Sequence, residues 1–168
     1  GIFNSGVLTI TSSTVGSNIA ASDGGGIYNK GTLTVDQSTI DSNISDVYSN
    51  GSGRGGGIFH TSGELLVLNS TISNNWTPWY AGGINVDTTG KATVVNSTIF
   101  GNSANGGGGG IRNRGELSVL NSTIAQNIAD KNGGGGEDQV GGGIDTGGAT
   151  TLHNTIVADN FRGADSQQ

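Results

Sequence analysis

The chain has 168 residues, 33 of them glycine, with one proline, no cysteine, no methionine and a formal net charge of −6 at a pI near 4.5. Without cysteine there is no disulfide, thiol nucleophile or Cys-type metal site, and seven scattered cations argue against nucleic acid, which needs a clustered basic surface. Aromatic residues make up 5%, too few for a conventional large core, and no stretch reaches the length of a transmembrane segment.

From the N-terminus onward one unit recurs six times: a glycine run ending in Gly-Ile, an apolar-x-apolar stretch, a Ser-Thr-Ile or its equivalent, and an Asn three residues later. The first unit supplies Ile2, Leu8, Ile10, Val15 and Asn18, and the second Ile27, Leu33, Val35, Ile40 and Asn43. Ile58, Leu65, Val67, Ile72 and Asn75 form the third, and Ile84, Ala92, Val94, Ile99 and Asn102 the fourth. The fifth has Ile111, Leu117, Val119, Ile124 and Asn127, and the sixth Ile144, Thr150, Leu152, Val157 and Asn160. A fixed period above twenty residues means stacked repeats, so equivalent positions become columns running from coil to coil. Within each unit apolar and polar residues alternate, as in Leu33-Thr34-Val35 and Thr39-Ile40, which predicts strands with one buried face. No segment keeps the three-and-four spacing of a helix. We therefore read residues 1–168 as one all-β solenoid domain of about six coils, roughly 29 Å long at about 4.8 Å per coil.

Two long insertions, 44–54 and 130–140, enter at one corner, before the glycine run of the third and sixth units. Asparagine marks two other corners. Asn18, Asn43, Asn75, Asn102, Asn127 and Asn160 form one column, and Asn69, Asn96, Asn121 and Asn154 a second that begins with Ser12 and Gln37. Both are expected to be structural ladders, because Asn bonds nearby backbone and tolerates left-handed conformations at turns, and stacked amides can bond each other from coil to coil. A repeat is already under way at Gly1-Ile2. The expectation is that the end strands stack on further coils of a longer chain or on another copy, end to end, since an open edge leaves backbone groups unpaired.

Gly24-Gly25-Gly26-Ile27-Tyr28-Asn29, the three Asn-Ser-Thr-Ile tetrads and the closing Leu152-His153-Asn154-Thr155-Ile156-Val157 resemble the repeats of large secreted bacterial β-helix proteins. They are similar, more loosely, to the Gly-Gly-x-Ile and Phe-x-x-Asn repeats of polymorphic outer-membrane proteins, with Ile72-Ser73-Asn74-Asn75 in the second motif. The resemblance covers essentially the whole chain. It implies a right-handed, single-stranded parallel β-helix at the bacterial cell surface, among adhesins, autotransporter passengers and filament-like scaffolds. It carries over no catalytic residue.

Candidate binding groups are therefore sought on the outside. Phe3, Tyr28 and Phe59 follow the Gly-Ile residues in one column, expected to face outward, and Trp76, Trp79 and Tyr80 crowd one corner. Exposed aromatic rings suit sugar rings, aromatic partners or a second copy, which gives a structural or adhesive module and, as its alternative, a carbohydrate-binding or polysaccharide-degrading one. For catalysis the densest charged set is Asp87, Arg112, Arg114 and Asp145, which a charge ladder explains as well, so no enzyme is expected. Arg112 is expected against Asp145, and Lys91 between Glu64 and Glu116. No cofactor is expected, and the one metal left open is calcium. Residues 133–141 fit a Gly-Gly-x-Gly-x-Asp repeat that would use Glu137 and Asp138, supplemented by Asp145, but a single copy falls short of six to eight oxygens. The outward threonines Thr14, Thr39, Thr71, Thr98 and Thr123 raise an ice-binding face as a last alternative.

Overall fold

The computed structural model describes residues 1–46, 53–130 and 141–163, and every regular element among them is a β-strand. The Gly-Ile strands Ile2–Asn4, Ile27–Asn29, Ile111–Asn113 and Ile144–Thr146 are followed by Val7–Thr11, Thr32–Asp36, Glu116–Leu120 and Ala149–His153. In the third and fourth repeats the two segments merge into single long strands, Ile58–Leu68 and Ile84–Val95. All belong to one ten-stranded sheet. A six-stranded sheet collects the Ser-Thr-Ile segments, from Thr14–Gly16 to Ile156–Ala158. Trp76–Thr77, Ser103–Ala104, Ile128–Ala129 and Phe161–Arg162 make a four-stranded third sheet, which single bridges from Ile19 to Ile44 and Ile44 to Trp76 extend.

Every strand pairing is parallel, and each expected column is realised: Ile2 pairs Ile27, Leu33 pairs Leu65, and Ile40 pairs Ile72. One register shift occurs, between Val86 and Thr89 against His60 and Ser62, where the fourth repeat carries one residue more than the third. The inward columns of the first two sheets share one apolar core, with Ile27, Ile58, Ile84, Ile111, Leu33, Val67, Ile72, Ile99 and Ile124 essentially inaccessible. Each such side chain contributes roughly 1.5–3 kcal/mol by leaving water. That a protein so poor in aromatics holds together follows from this repetition: a few aliphatic positions, used six times.

The Asn column beginning at Asn18 is a ladder whose amides bond from coil to coil, as expected, but the left-handed conformation expected at these positions falls elsewhere. Asn43, Asn75, Asn102 and Asn127 are fully buried and none has positive φ; the residue before each takes the left-handed turn, with Ser42 at φ 55°, Asn74 at 53°, Gly101 at 64° and Gln126 at 54°. What the column needs is the amide. Asn75 Nδ2 donates to Asn102 Oδ1 (2.9 Å) and to Ile40 O (3.0 Å), while the Asn75 backbone N–H donates to the same Asn102 Oδ1 (3.0 Å). The pattern repeats from Asn18 to Asn160. Left-handed backbone belongs to the other column, where Ser12, Gln37, Asn69, Asn96, Asn121 and Asn154 all lie at φ 48–50°.

A serine ladder that the sequence reading left out runs beside it. The backbone N–H groups of Ser13, Ser38, Ser70 and Ser97 donate to Ser38, Ser70, Ser97 and Ser122 Oγ at 3.0–3.1 Å. The glycine runs face the Asn ladder. A Cβ on Gly26 would lie 2.9 Å from Asn43 Nδ2, and one on Gly56 would lie 2.6 Å from Trp76 O in the third sheet, so only hydrogen fits at either place. At the insertion corner the chain is described up to Asp46 and again from Gly53, whose N–H donates to Asp46 Oδ2 (3.3 Å).

Asn102→Ala removes two donors and strands the Asn75 groups that point at its oxygen, and is expected to lower stability by about 3 kcal/mol. Asn96→Ala, at an exposed amide of the second column, is expected to stay within about 1 kcal/mol. Urea midpoints for the two variants check this; equal midpoints would contradict the distinction.

Candidate functional site

Between the glycine corner and the Gly-Ile strands lies the only described face on which aromatic and charged side chains meet. Register places Phe3, Tyr28, Phe59, Asn85, Arg112 and Asp145 in one outward column. Phe3 and Tyr28 pack with ring centroids 5.5 Å apart, and Tyr28 meets Phe59 edge-on at 5.0 Å. Lys30 reaches over both of the first two rings, 5.9 Å and 5.4 Å from their centroids. The expectation of three exposed platforms is corrected at Phe59. It is 1% exposed, against 64% for Phe3, because the Arg54 guanidinium lies 4.6 Å above its ring. Arg54 is held there by Asp23 at 3.2 Å and Asp87 at 3.7 Å.

The corner aromatics divide. Trp76 is half-buried on the third sheet, paired between Ile44 and Ser103, so it lies apart from the other two. Trp79 is 44% exposed and stands edge-on to Tyr80 at 5.2 Å, and the Arg112 guanidinium covers Tyr80 at 4.2 Å. Stacked on a ring, a guanidinium keeps a favourable contact while giving up water.

Arg112 and Arg114 converge on Asp145, at 3.6 Å and 3.0 Å, and this carboxylate is 2% exposed. Burial, then the neighbouring Arg114 charge, eases the Arg112 pKa downward, which Asp145 partly offsets. The charged set Asp87, Arg112, Arg114 and Asp145 is thus engaged in pairs that bind it to the scaffold and to Arg54. Arg54 and Asp23 were not singled out from the sequence. They share the column that leads into the glycine run and continues at Tyr80, as the Arg54–Tyr80 bridge shows, but the insertion before Arg54 hides the equivalence. The buried Asn85 Nδ2 has no hydrogen-bond partner.

Other expected groups lie elsewhere. Lys91 pairs with Glu116 at 3.1 Å on an open surface, which contributes little. A shallow groove of about 490 Å³ crosses four repeats there, between Glu64, Lys91 and Glu116 on one rim and Leu66, Thr93 and Ser118 on the other. The threonine column is exposed at Thr14 and half-buried from Thr39 to Thr123. Glu137 and Asp138 lie outside the described residues, and Asp145 is occupied by the two arginines. His60, given no role from the sequence, is fully buried within a short amide ladder. No helix among the described residues is long and apolar enough to cross a membrane.

No family model, no curated protein and no solved structure matches the chain.

Asp145→Ala is expected to cost about 3 kcal/mol, because it leaves two partly buried guanidinium groups without a counter-charge. The control Glu116→Ala, which removes the same charge from an exposed pair, is expected to change stability by less than about 1 kcal/mol. Thermal unfolding of both variants checks the pair.

Proposed function

We propose that the six repeats close into a right-handed parallel β-helix that serves as a non-catalytic structural or adhesive module outside the cell, related to the secreted bacterial β-helix proteins its repeats resemble. Closure is supported by the packing of the glycine runs against the third sheet, Gly25 on Ile44, Gly56 on Trp76 and Gly109 on Ile128, which brings the two edges of the repeat together. The observation that carries the contact role is the aromatic and arginine face. Inward positions are filled by aliphatic columns and amide ladders, whereas Trp79, Tyr80, Phe3 and Tyr28 offer rings outward beside Arg54 and Arg112. Rings and arginines on a rigid sheet are the groups that dominate protein contacts. Asp87 and Asp145, the carboxylates a hydrolase or lyase would need free, are both drawn into arginine pairs.

The partner of that face is a second copy of the chain; further coils of a longer chain would stack on the end strands instead. A glycan is the second reading, favoured by the exposed Trp79 and by the groove that follows the repeats past Glu64, Lys91 and Glu116. Sedimentation velocity and glycan-array binding, run on the wild type and on Trp79→Ala/Phe3→Ala, separate the two. The proposal expects concentration-dependent association of the wild type that the double variant loses by tenfold or more in Kd, about 1.4 kcal/mol. Glycan binding lost in the same variant, with no association at any concentration, would move the assignment to the carbohydrate reading. Neither behaviour in the wild type would overturn the face as a contact surface.

A further inference from the structure

The residue after the aromatic column carries a polar ladder of its own, Asn4, Asn29 and His60, and all three side chains are buried. Asn4 Nδ2 donates to Asn29 Oδ1 (2.7 Å), and Asn29 Nδ2 is 2.8 Å from His60 Nδ1. His60 Nε2 is 3.2 Å from the carbonyl oxygen of Gly63, which can only accept. The ring is therefore neutral with its proton on Nε2, and Nδ1 is the acceptor. We propose that His60 is an acid-sensitive latch: taking up a proton on Nδ1 sets two donors against each other and loosens the second and third repeats beneath the Phe3–Tyr28–Phe59 column.

Within the side-chain ladder the clash has no remedy. Turning the Asn29 amide over would present Oδ1 to the new N–H, but Oδ1 already accepts from Asn4 Nδ2 and the Gly31 N–H (3.3 Å), and Nδ2 already donates to Gly31 O (2.8 Å). The amide direction is thus fixed along the whole ladder. The facing element offers no relief, since Val86 stands where a fourth polar group would be, and a Cβ on Gly90 would already touch the imidazole. The charged groups nearest in sequence on the packed strands are Lys30, Glu64, Asp87 and Lys91, and no ion pair joins any of them to the ring. Burial holds the His60 pKa below its ordinary 6.5, with backbone hydrogen bonds at Gly63 and Lys91 opposing. A group whose folded pKa is depressed stabilises the fold above its unfolded pKa and loses that contribution as pH falls, so the window opens downward from pH 6.5.

Phe59 and Tyr28 immediately precede His60 and Asn29, so the latch sits under the edge-on ring pair and the Arg54 that covers it. Hydrogen exchange by mass spectrometry at pH 7.5 and pH 5.0, corrected for intrinsic rates, tests the idea on the whole chain. Peptides spanning residues 27–33 and 58–66 are expected to lose protection at pH 5.0, by up to about thirtyfold, the limit set by the 1.5 pH units below 6.5. Residues 111–124 are expected to keep theirs. In His60→Asn, which restores the amide found at Asn4 and Asn29, the pH difference is expected to vanish. Equal protection of the wild type at both pH values, or the same loss in His60→Asn, overturns the proposal. Should the variant not fold, an NMR titration of the wild-type His60 ring decides instead, and a pKa at or above 6.5 overturns it.

Discussion

The structure depends on one constraint: a residue that points inward in one repeat must satisfy the residue in the same place in the next. For aliphatic columns this asks only for shape, and Ile, Leu and Val meet it with little specificity. For a buried amide it asks for direction. Asn43, Asn75, Asn102 and Asn127 each accept two hydrogen bonds on one oxygen from the preceding repeat and donate to the following one, so an orphaned group anywhere in the series would carry a desolvation penalty. A slip of one residue in register would bury the wrong neighbour in the ladder and turn the aliphatic columns outward. Amide stacking therefore fixes register, and the hydrophobic columns supply most of the stabilisation.

That division explains why so much glycine is compatible with an ordered fold. Glycine is costly in backbone entropy, yet the three-residue run is where the amide ladder, the third sheet and the next repeat approach most closely. Gly24 takes a left-handed turn at φ 70°, and Gly25 and Gly26 lie against the backbone of Ile44 and the Asn43 amide. Where the fourth repeat has Ala81 in place of the first glycine, the residue still adopts φ 61°, so position outweighs preference there.

Most of this was legible in the sequence because translation maps sequence columns directly onto contacts. Aligning Ile27 with Ile58 or Asn43 with Asn75 already names a parallel pair, and all such pairs are realised. Less legible was anything that depends on which atom bonds to which. The Asn18 column reads both as turn chemistry and as stacked amides; the amides do bond from coil to coil, but the left-handed turn falls one residue earlier. Phe59 reads as exposed from strand alternation, but Arg54, from a neighbouring column beyond an insertion, covers it. His60 stands in a mixed column with Asn4, Asn29, Val86, Asn113 and Thr146; only the distances to Asn29 and Gly63 reveal a fixed tautomer. The candidate contact face was half visible: its rings and charges were named separately, and the guanidinium–ring contacts that join them were not.

Side-chain amide exchange measures the central constraint most directly. In ¹⁵N-labelled protein, the carboxamide protons of Asn43, Asn75, Asn102 and Asn127 are predicted to exchange only with global unfolding, while those of Asn69, Asn96 and Asn121 exchange freely with solvent. Comparable, rapid exchange in both columns would contradict the account, because the amide ladder would then not be the buried element that sets the register of the repeats.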